Sequence, residues 1–104
     1  MKKILLLCAA GMSTSILVNK MKDAATKNGI EVEIKAVSLD RFDSHIDEYD
    51  VFLLGPQVRF KKNQLQPIAH KANKPLEVIN TTDYGLMKGE NVLKFALELI
   101  EKGV

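Results

Sequence analysis

The chain predicts an α/β fold: one four-stranded, parallel, open sheet of strand order 2-1-3-4, with helices on both faces. Three observations carry that prediction. Ile4–Leu7 and Val51–Leu54 are solid apolar runs, the pattern of strands buried on both faces of a parallel sheet. Segments of helical period lie between the strand candidates, so strands and helices alternate. The 104 residues suffice for one domain, 1–104, burying roughly 65% of its unfolded surface around a single core.

Each element has its own warrant. From Ser13, the residues Ile16, Leu17, Met21, Ala24 and Ala25 recur three or four apart, an inward helix face opposite Lys20, Lys22, Asp23 and Lys27. Asn28-Gly29 supplies its C-terminal stop. Ile30, Val32, Ile34 and Ala36 alternate with Glu31, Glu33 and Lys35, as in a strand at the sheet's edge. Leu39, Phe42 and Ile46 predict a one- or two-turn helix within 39–47. Asp50 leads into Val51–Leu54, which Gly55-Pro56 ends. A helix over about 61–73 carries Leu65, Ile68, Ala69 and Ala72 on one side. Pro75 precedes a fourth strand, Leu76–Ile79. Residues 80–89 read as a loop or short turn, and Asn91–Lys102 as a terminal helix with Val92, Leu93, Phe95, Ala96, Leu99 and Ile100 inward.

In this strand order, strands 1 and 3 are neighbours whose connections leave to opposite faces. Ligand crevices form at such a switch point, beyond the carboxyl ends of the strands. Cys8 and the Gly55-Pro56-Gln57 loop are therefore expected side by side.

Composition removes several function classes. Fifteen basic against 13 acidic residues, a net charge of +2, is far from the balance of a nucleic-acid binder. One cysteine precludes an internal disulfide, and two distant histidines, His45 and His70, give no metal-ligand spacing and read as surface residues. No cofactor is called for. A lone thiol suits a reducing, cytoplasmic setting. The opening Met1-Lys2-Lys3 before aliphatic residues resembles a lipoprotein signal only superficially. Four apolar residues precede Cys8, and Leu7 is too bulky for the cleavage site. No segment reaches the ~18 apolar residues of a membrane span, so a soluble chain without direct membrane insertion is expected.

Chemistry concentrates where the first strand ends. A thiolate is a good nucleophile, and the unpaired N–H groups and dipole at a helix mouth stabilise negative charge. Ala9 and Ala10 keep the loop uncrowded, and Gly11 lets the backbone approach closely. Ser13, Thr14 and Ser15 can cap the helix, donate to phosphate oxygens, or both. By residue type alone a lone cysteine is more often a small buried hydrophobe. Its place before a glycine and a hydroxyl cluster argues instead for a nucleophile that accepts and passes on a phosphoryl group.

The run Cys8–Ser15, followed by Ile16-Leu17-Val18 and Lys20-Met21, resembles the phosphocysteine loop of IIB components of bacterial sugar phosphotransferase systems. Within the lactose/cellobiose family it is similar to the cellobiose/chitobiose branch, since lactose-branch loops are richer in glycine. The likeness continues through Leu53–Val58, Asn73-Lys74-Pro75 with Val78-Ile79, and Tyr84-Gly85, nearly the whole chain. It implies a three-layer sandwich like that of flavodoxins and low-molecular-weight phosphatases. It further implies a phosphotransferase in which Cys8 is the catalytic nucleophile, carried through a phosphocysteine. Ala9, Ala10, Gly11, Met12, Ser13, Thr14 and Ser15 would hold the phosphoryl group, and Pro56, Gln57, Val58, Tyr84 and Gly85 would line the rim. The implied partners are a IIA protein donating from phosphohistidine and a membrane IIC permease. The implied acceptor is a sugar entering through IIC: cellobiose, chitobiose or a related β-glucoside. The uncharged residues Met12, Val58 and Leu86 are expected to form an apolar docking rim shared by both partners.

Two alternatives use the same loop. Low-molecular-weight tyrosine phosphatases need Cys-x5-Arg, whose guanidinium clamps the phosphoryl oxygens. That position here is Thr14, which disfavours hydrolysis. A flavodoxin-like module that merely binds a phosphate-bearing ligand would not need the thiol.

Overall fold

The computed structural model describes residues 1–9 and 12–104, the side chains of Met12 and Ser13 excepted. The four strands are β1 (Lys2–Cys8), β2 (Val32–Ser38), β3 (Val51–Leu54) and β4 (Leu76–Val78). They form one sheet of order β2-β1-β3-β4, all neighbours parallel. The helices are α1 (Met12–Lys27), α2 (Phe42–His45), α3 (Lys62–Lys71), α4 (Thr81–Gly85) and α5 (Gly89–Lys102). Two 3-10 segments, Leu39–Arg41 and Pro56–Lys61, precede α2 and α3.

Strand alternation divides the interior into two cores. Ile4 and Leu6 of β1, with Val51 and Leu53 of β3, face Leu17, Met21, Val92, Leu93 and Ala96 of α1 and α5. Leu5, Leu7, Phe52 and Leu54 face the other way, onto Phe42, Tyr49, Leu65 and Ala69. Phe42 and Phe52 meet edge to face with ring centroids 5.0 Å apart. Solid apolar runs in β1 and β3 are thus explained: every side chain from Ile4 to Cys8 and from Val51 to Leu54 is fully buried. Burying a leucine side chain contributes about 2 kcal/mol, so each of these strands adds several kcal/mol to the two cores.

Helix ends follow local chemistry. Gly29 takes φ 66°, the Gly29 N–H donates to Thr26 and the Ile30 N–H to Ala25, a Schellman stop at the predicted place. Asn73, at φ 62°, closes α3 in the same way, with Asn73 donating to His70 and Lys74 to Ala69. At Gly89, α5 and α1 approach backbone to backbone: a Cβ there would lie 2.6 Å from the Lys20 carbonyl oxygen.

Several expectations need correction. Ile16 is 54% exposed, because it lies on the outer side of α1 although its spacing matches the inward set. Ile68 is likewise exposed on α3. Residues 80–89 contain a one-turn helix, α4, and α5 begins at Gly89 rather than Asn91. The second strand starts two residues later than its alternation suggests and runs to Ser38. His45 is no free surface residue. Its side chain is 14% exposed, stands edge-on to the Tyr49 ring with centroids 5.6 Å apart, and reaches Glu48 at 3.4 Å.

Tyr49 anchors the amino end of the sheet. Its hydroxyl donates to the Glu33 carboxylate at 3.0 Å, and the Lys3 ammonium lies 6.0 Å from its ring centroid. Burial first, then the Glu33 hydrogen bond and the nearby charges of Glu33 and Glu48, push the phenol up to about 12.

Candidate functional site

The opposite end of the sheet gathers the sequence-predicted residues. Parallel register aligns Leu7 with Leu54 and Leu54 with Val78, so the loops after β1, β3 and β4 leave the sheet at one level. Two backbone bonds fix them there: the Gly55 N–H donates to Leu7 at 3.0 Å, and the Ile79 N–H to Leu54 at 2.8 Å.

Cys8 closes β1. It is fully buried, with its Sγ 3.8 Å from the Val37 carbonyl oxygen. Ala10 and Gly11 lie outside the described residues, as do the side chains of Met12 and Ser13. Ala9 is an exposed bend residue after Cys8, and Ser15 is exposed in the first turn of α1. Thr14, in that same turn, is 1% exposed and is the buried polar residue of the described chain.

Thr14 is joined to residues far away in sequence. Its Oγ1 lies 3.0 Å from the Tyr84 hydroxyl, and the Gln57 Nε2 donates to that same hydroxyl at 3.3 Å. One residue from each of three segments, the first turn of α1, the 3-10 turn after β3 and α4, thus meets in a hydrogen-bonded group. Gly55 makes room for it: a Cβ there would lie 2.7 Å from the Gln57 Oε1, so the missing side chain lets the amide fold back over the loop. Pro56 opens the 3-10 segment, where a missing N–H costs nothing.

Tyr84 is held by an element that the apolar pattern does not reveal. The Asn80 side chain accepts from the backbone N–H groups of both Thr82 and Asp83, capping α4. Asn91 donates to Asp83 at 3.2 Å on the α5 side. The sequence signal was present in Asn80-Thr81-Thr82-Asp83, a capping pattern without a hydrophobic repeat to announce a helix.

Not every rim residue is on the rim. Val58 is 2% exposed and packs in the core with Leu5, Leu7 and Leu54, so its side chain offers no docking surface. A kink in the 3-10 segment, with Val58 at φ −119° and ψ 22°, turns it inward. Gly85 is exposed at the end of α4, and Leu86 beyond it is 64% exposed. Phe60, which sequence reasoning passed over, is 70% exposed on the segment that follows Gln57.

Among the described residues, no group of three His, Cys, Asp or Glu side chains is placed to hold a metal ion. None of the described helices is long and apolar enough to cross a membrane.

Comparison with known proteins agrees with this geometry. Residues 3–95 match the family model of the lactose/cellobiose-specific IIB subunit of the phosphotransferase system. The chain is 46% identical to the galactose-specific EIIB component of Lactococcus lactis subsp. cremoris, over 95% of this chain and 96% of that one. It is 45% identical to the oligo-beta-mannoside-specific EIIB component of Bacillus subtilis, covering 96% and 97%. The solution structure of a cellobiose-specific phosphotransferase IIB component from Borrelia burgdorferi superposes with TM-score 0.83 at 42% identity, covering 97% and 93%. A mutant of YwlE from Bacillus subtilis, 11% identical with TM-score 0.60 over 95% and 99%, shares the fold alone. A solid apolar β1 ending in Cys8, the Leu-Gly-Pro-Gln turn beside it and these likenesses together place the chain in the IIB family of lactose/cellobiose-type phosphotransferase systems.

Proposed function

We propose that Cys8 is the phosphoryl-carrying nucleophile of this phosphotransferase component. The observation that carries the reading is the sole cysteine at the carboxyl end of β1, at the head of α1 and level with the Gly55-Pro56-Gln57 turn. The Cys8 thiolate attacks the phosphorus of a phosphohistidine on a IIA partner. The S–P bond forms as the P–N bond breaks, and the electron pair returns to the imidazole nitrogen. A sugar hydroxyl presented by a membrane IIC partner then attacks phosphorus: the O–P bond forms as the S–P bond breaks, the hydroxyl proton passes to solvent, and the thiolate is restored. Backbone N–H groups of the Ala9–Ser15 segment and the α1 dipole absorb the added charge, about −1.5 to −2 for an ordinary phosphate ester.

Thr14 stands where a phosphatase needs arginine. A neutral hydroxyl gives water attack little acceleration, which preserves the group for delivery. The acceptor is cellobiose, chitobiose or a related β-glucoside, and the membrane partner selects among them. The chain works in the cytoplasm, where phosphoenolpyruvate-driven donors reside.

The test is intact-protein mass spectrometry after incubation with phosphoenolpyruvate, the general phosphotransferase proteins and a matching IIA. One added phosphoryl group on the wild type, absent from Cys8→Ser, is expected. No uptake from a demonstrably phosphorylated IIA overturns the reading. Robust turnover of a phosphotyrosine analogue, lost in Cys8→Ser, would replace it with a phosphatase.

A further inference from the structure

The carboxyl end of β2 lies against the nucleophile. Ser38 is the register partner of Cys8 across the parallel β1–β2 pair. The Cys8 Sγ sits 3.8 Å from the carbonyl oxygen of Val37, the residue just before it. Side chains alternate between the two faces of a sheet, so register partners on parallel strands share a face. Ile4 with Ile34 and Leu6 with Ala36 all face the α1 side, so Cys8 and Ser38, two residues on, face that side too.

The Ser38 hydroxyl donates to the carboxylate of Asp40, an exposed residue of the 3-10 turn that follows β2. A strand spacing of about 4.8 Å, one serine side chain and one hydrogen bond separate nucleophile and acid, so the carboxylate oxygen stands within about 10 Å of the Cys8 Cα. Among the described residues no basic side chain pairs with Asp40: the ion pairs join His45 to Glu48 and Lys62 to Glu77. Arg41 follows Asp40 in the chain, and Lys61, across a shared cavity, donates to Gln64 at 3.2 Å.

We propose that Asp40, held by Ser38, is the charge that sets the phosphoryl balance of Cys8, raising the free energy of the phosphocysteine so that onward delivery is favoured over storage. The inference rests on the carrier reading above. A phosphoryl group carries more negative charge than the thiolate it replaces, so repulsion from Asp40 weighs against the loaded state. Water and salt weaken that repulsion, since about 10 Å is one Debye length at 0.1 M ionic strength.

The experiment is the equilibrium partition of the phosphoryl group between this chain and its IIA. It is read by intact mass, approached from both directions, at concentrations too low for the two proteins to stay bound. Docking contacts alter how fast such a partition is reached and not where it ends. At about 0.01 M ionic strength, where the Debye length is about 30 Å, Asp40→Asn is expected to shift the partition toward this chain about two- to fivefold. At about 1 M, where that length falls to about 3 Å, the shift should vanish. Asp40→Glu keeps the charge and should keep the wild-type partition. Ser38→Ala, which frees the carboxylate to swing into solvent, should shift it less than Asp40→Asn, and the double variant no further than Asp40→Asn alone. Asp47→Asn removes an exposed acid from the turn before β3, at the far end of the sheet, and should move the partition much less. An unchanged partition in Asp40→Asn at low salt overturns the inference and leaves the carrier reading intact. So does a shift that persists at high salt, which would make its cause structural, or an equal shift in Asp47→Asn, which would make it the net charge. A wild-type chain that takes up no phosphoryl group from an active IIA overturns both readings.

Discussion

The chain has two tyrosines, one at each end of the sheet, and their hydroxyls keep different company. Tyr49, at the amino end, donates to the carboxylate of Glu33 beside Lys3, His45 and Glu48. Tyr84, at the carboxyl end, joins a threonine hydroxyl and a glutamine amide, both neutral. A carboxylate commits a phenol's proton and holds it against titration. Across the Thr14–Tyr84 contact either hydroxyl can donate. One tyrosine is tied to a charged neighbour, and the other has neutral neighbours in Thr14 and Gln57.

Moving charge between the ends should break this contrast most visibly. Gln57→Glu places a carboxylate against Tyr84, and repulsion of a phosphoryl dianion nearby should slow single-turnover transfer by on the order of tenfold to a hundredfold. Glu33→Gln, the mirror change, should leave that rate within about twofold of wild type. Equal effects at both ends would erase the distinction. A smaller effect concerns stability. Tyr49→Phe removes the bond to Glu33 and should lower the urea unfolding free energy by about 1 kcal/mol, with transfer unaffected. The smallest effect is in pH. An ordinary phenol ionises near 10, whereas Tyr49 in the folded chain is pushed up to about 12. Up to pH 10 both states keep the proton, and Tyr49 adds no pH dependence. Between pH 10 and about 12 only the unfolded chain releases it, so stability is lost as pH rises through that window. Unfolding curves of wild type and Tyr49→Phe should converge there; parallel curves would detach the shift from this residue.

What was legible in the residues divides along physical lines. Both buried strands could be read because each is written locally as a solid apolar run, and the strand order followed from the alternation of strands with helices. The stop at Gly29 was legible because left-handed backbone has a short list of tolerant residues. Ile16 was misplaced because spacing gives a helix's period, while its phase depends on which neighbours the sheet supplies. Val58 was taken for surface because a kink in a 3-10 segment, invisible in composition, turns it inward. Least legible was the meeting of Thr14 with Tyr84, which are 70 residues apart in sequence. Only the register of three parallel strands brings them together, and Asn80 then aims the phenol.

The close approach at Gly89 has a mechanical meaning. Because a mere methyl there would collide with the Lys20 carbonyl, α1 is bolted to α5 near its midpoint, with backbone rather than pliable side chains as the washer. A helix fixed in this way resists sliding along its axis past its neighbour. Gly89 thus lets α1 and α5 pack as one layer on their face of the sheet.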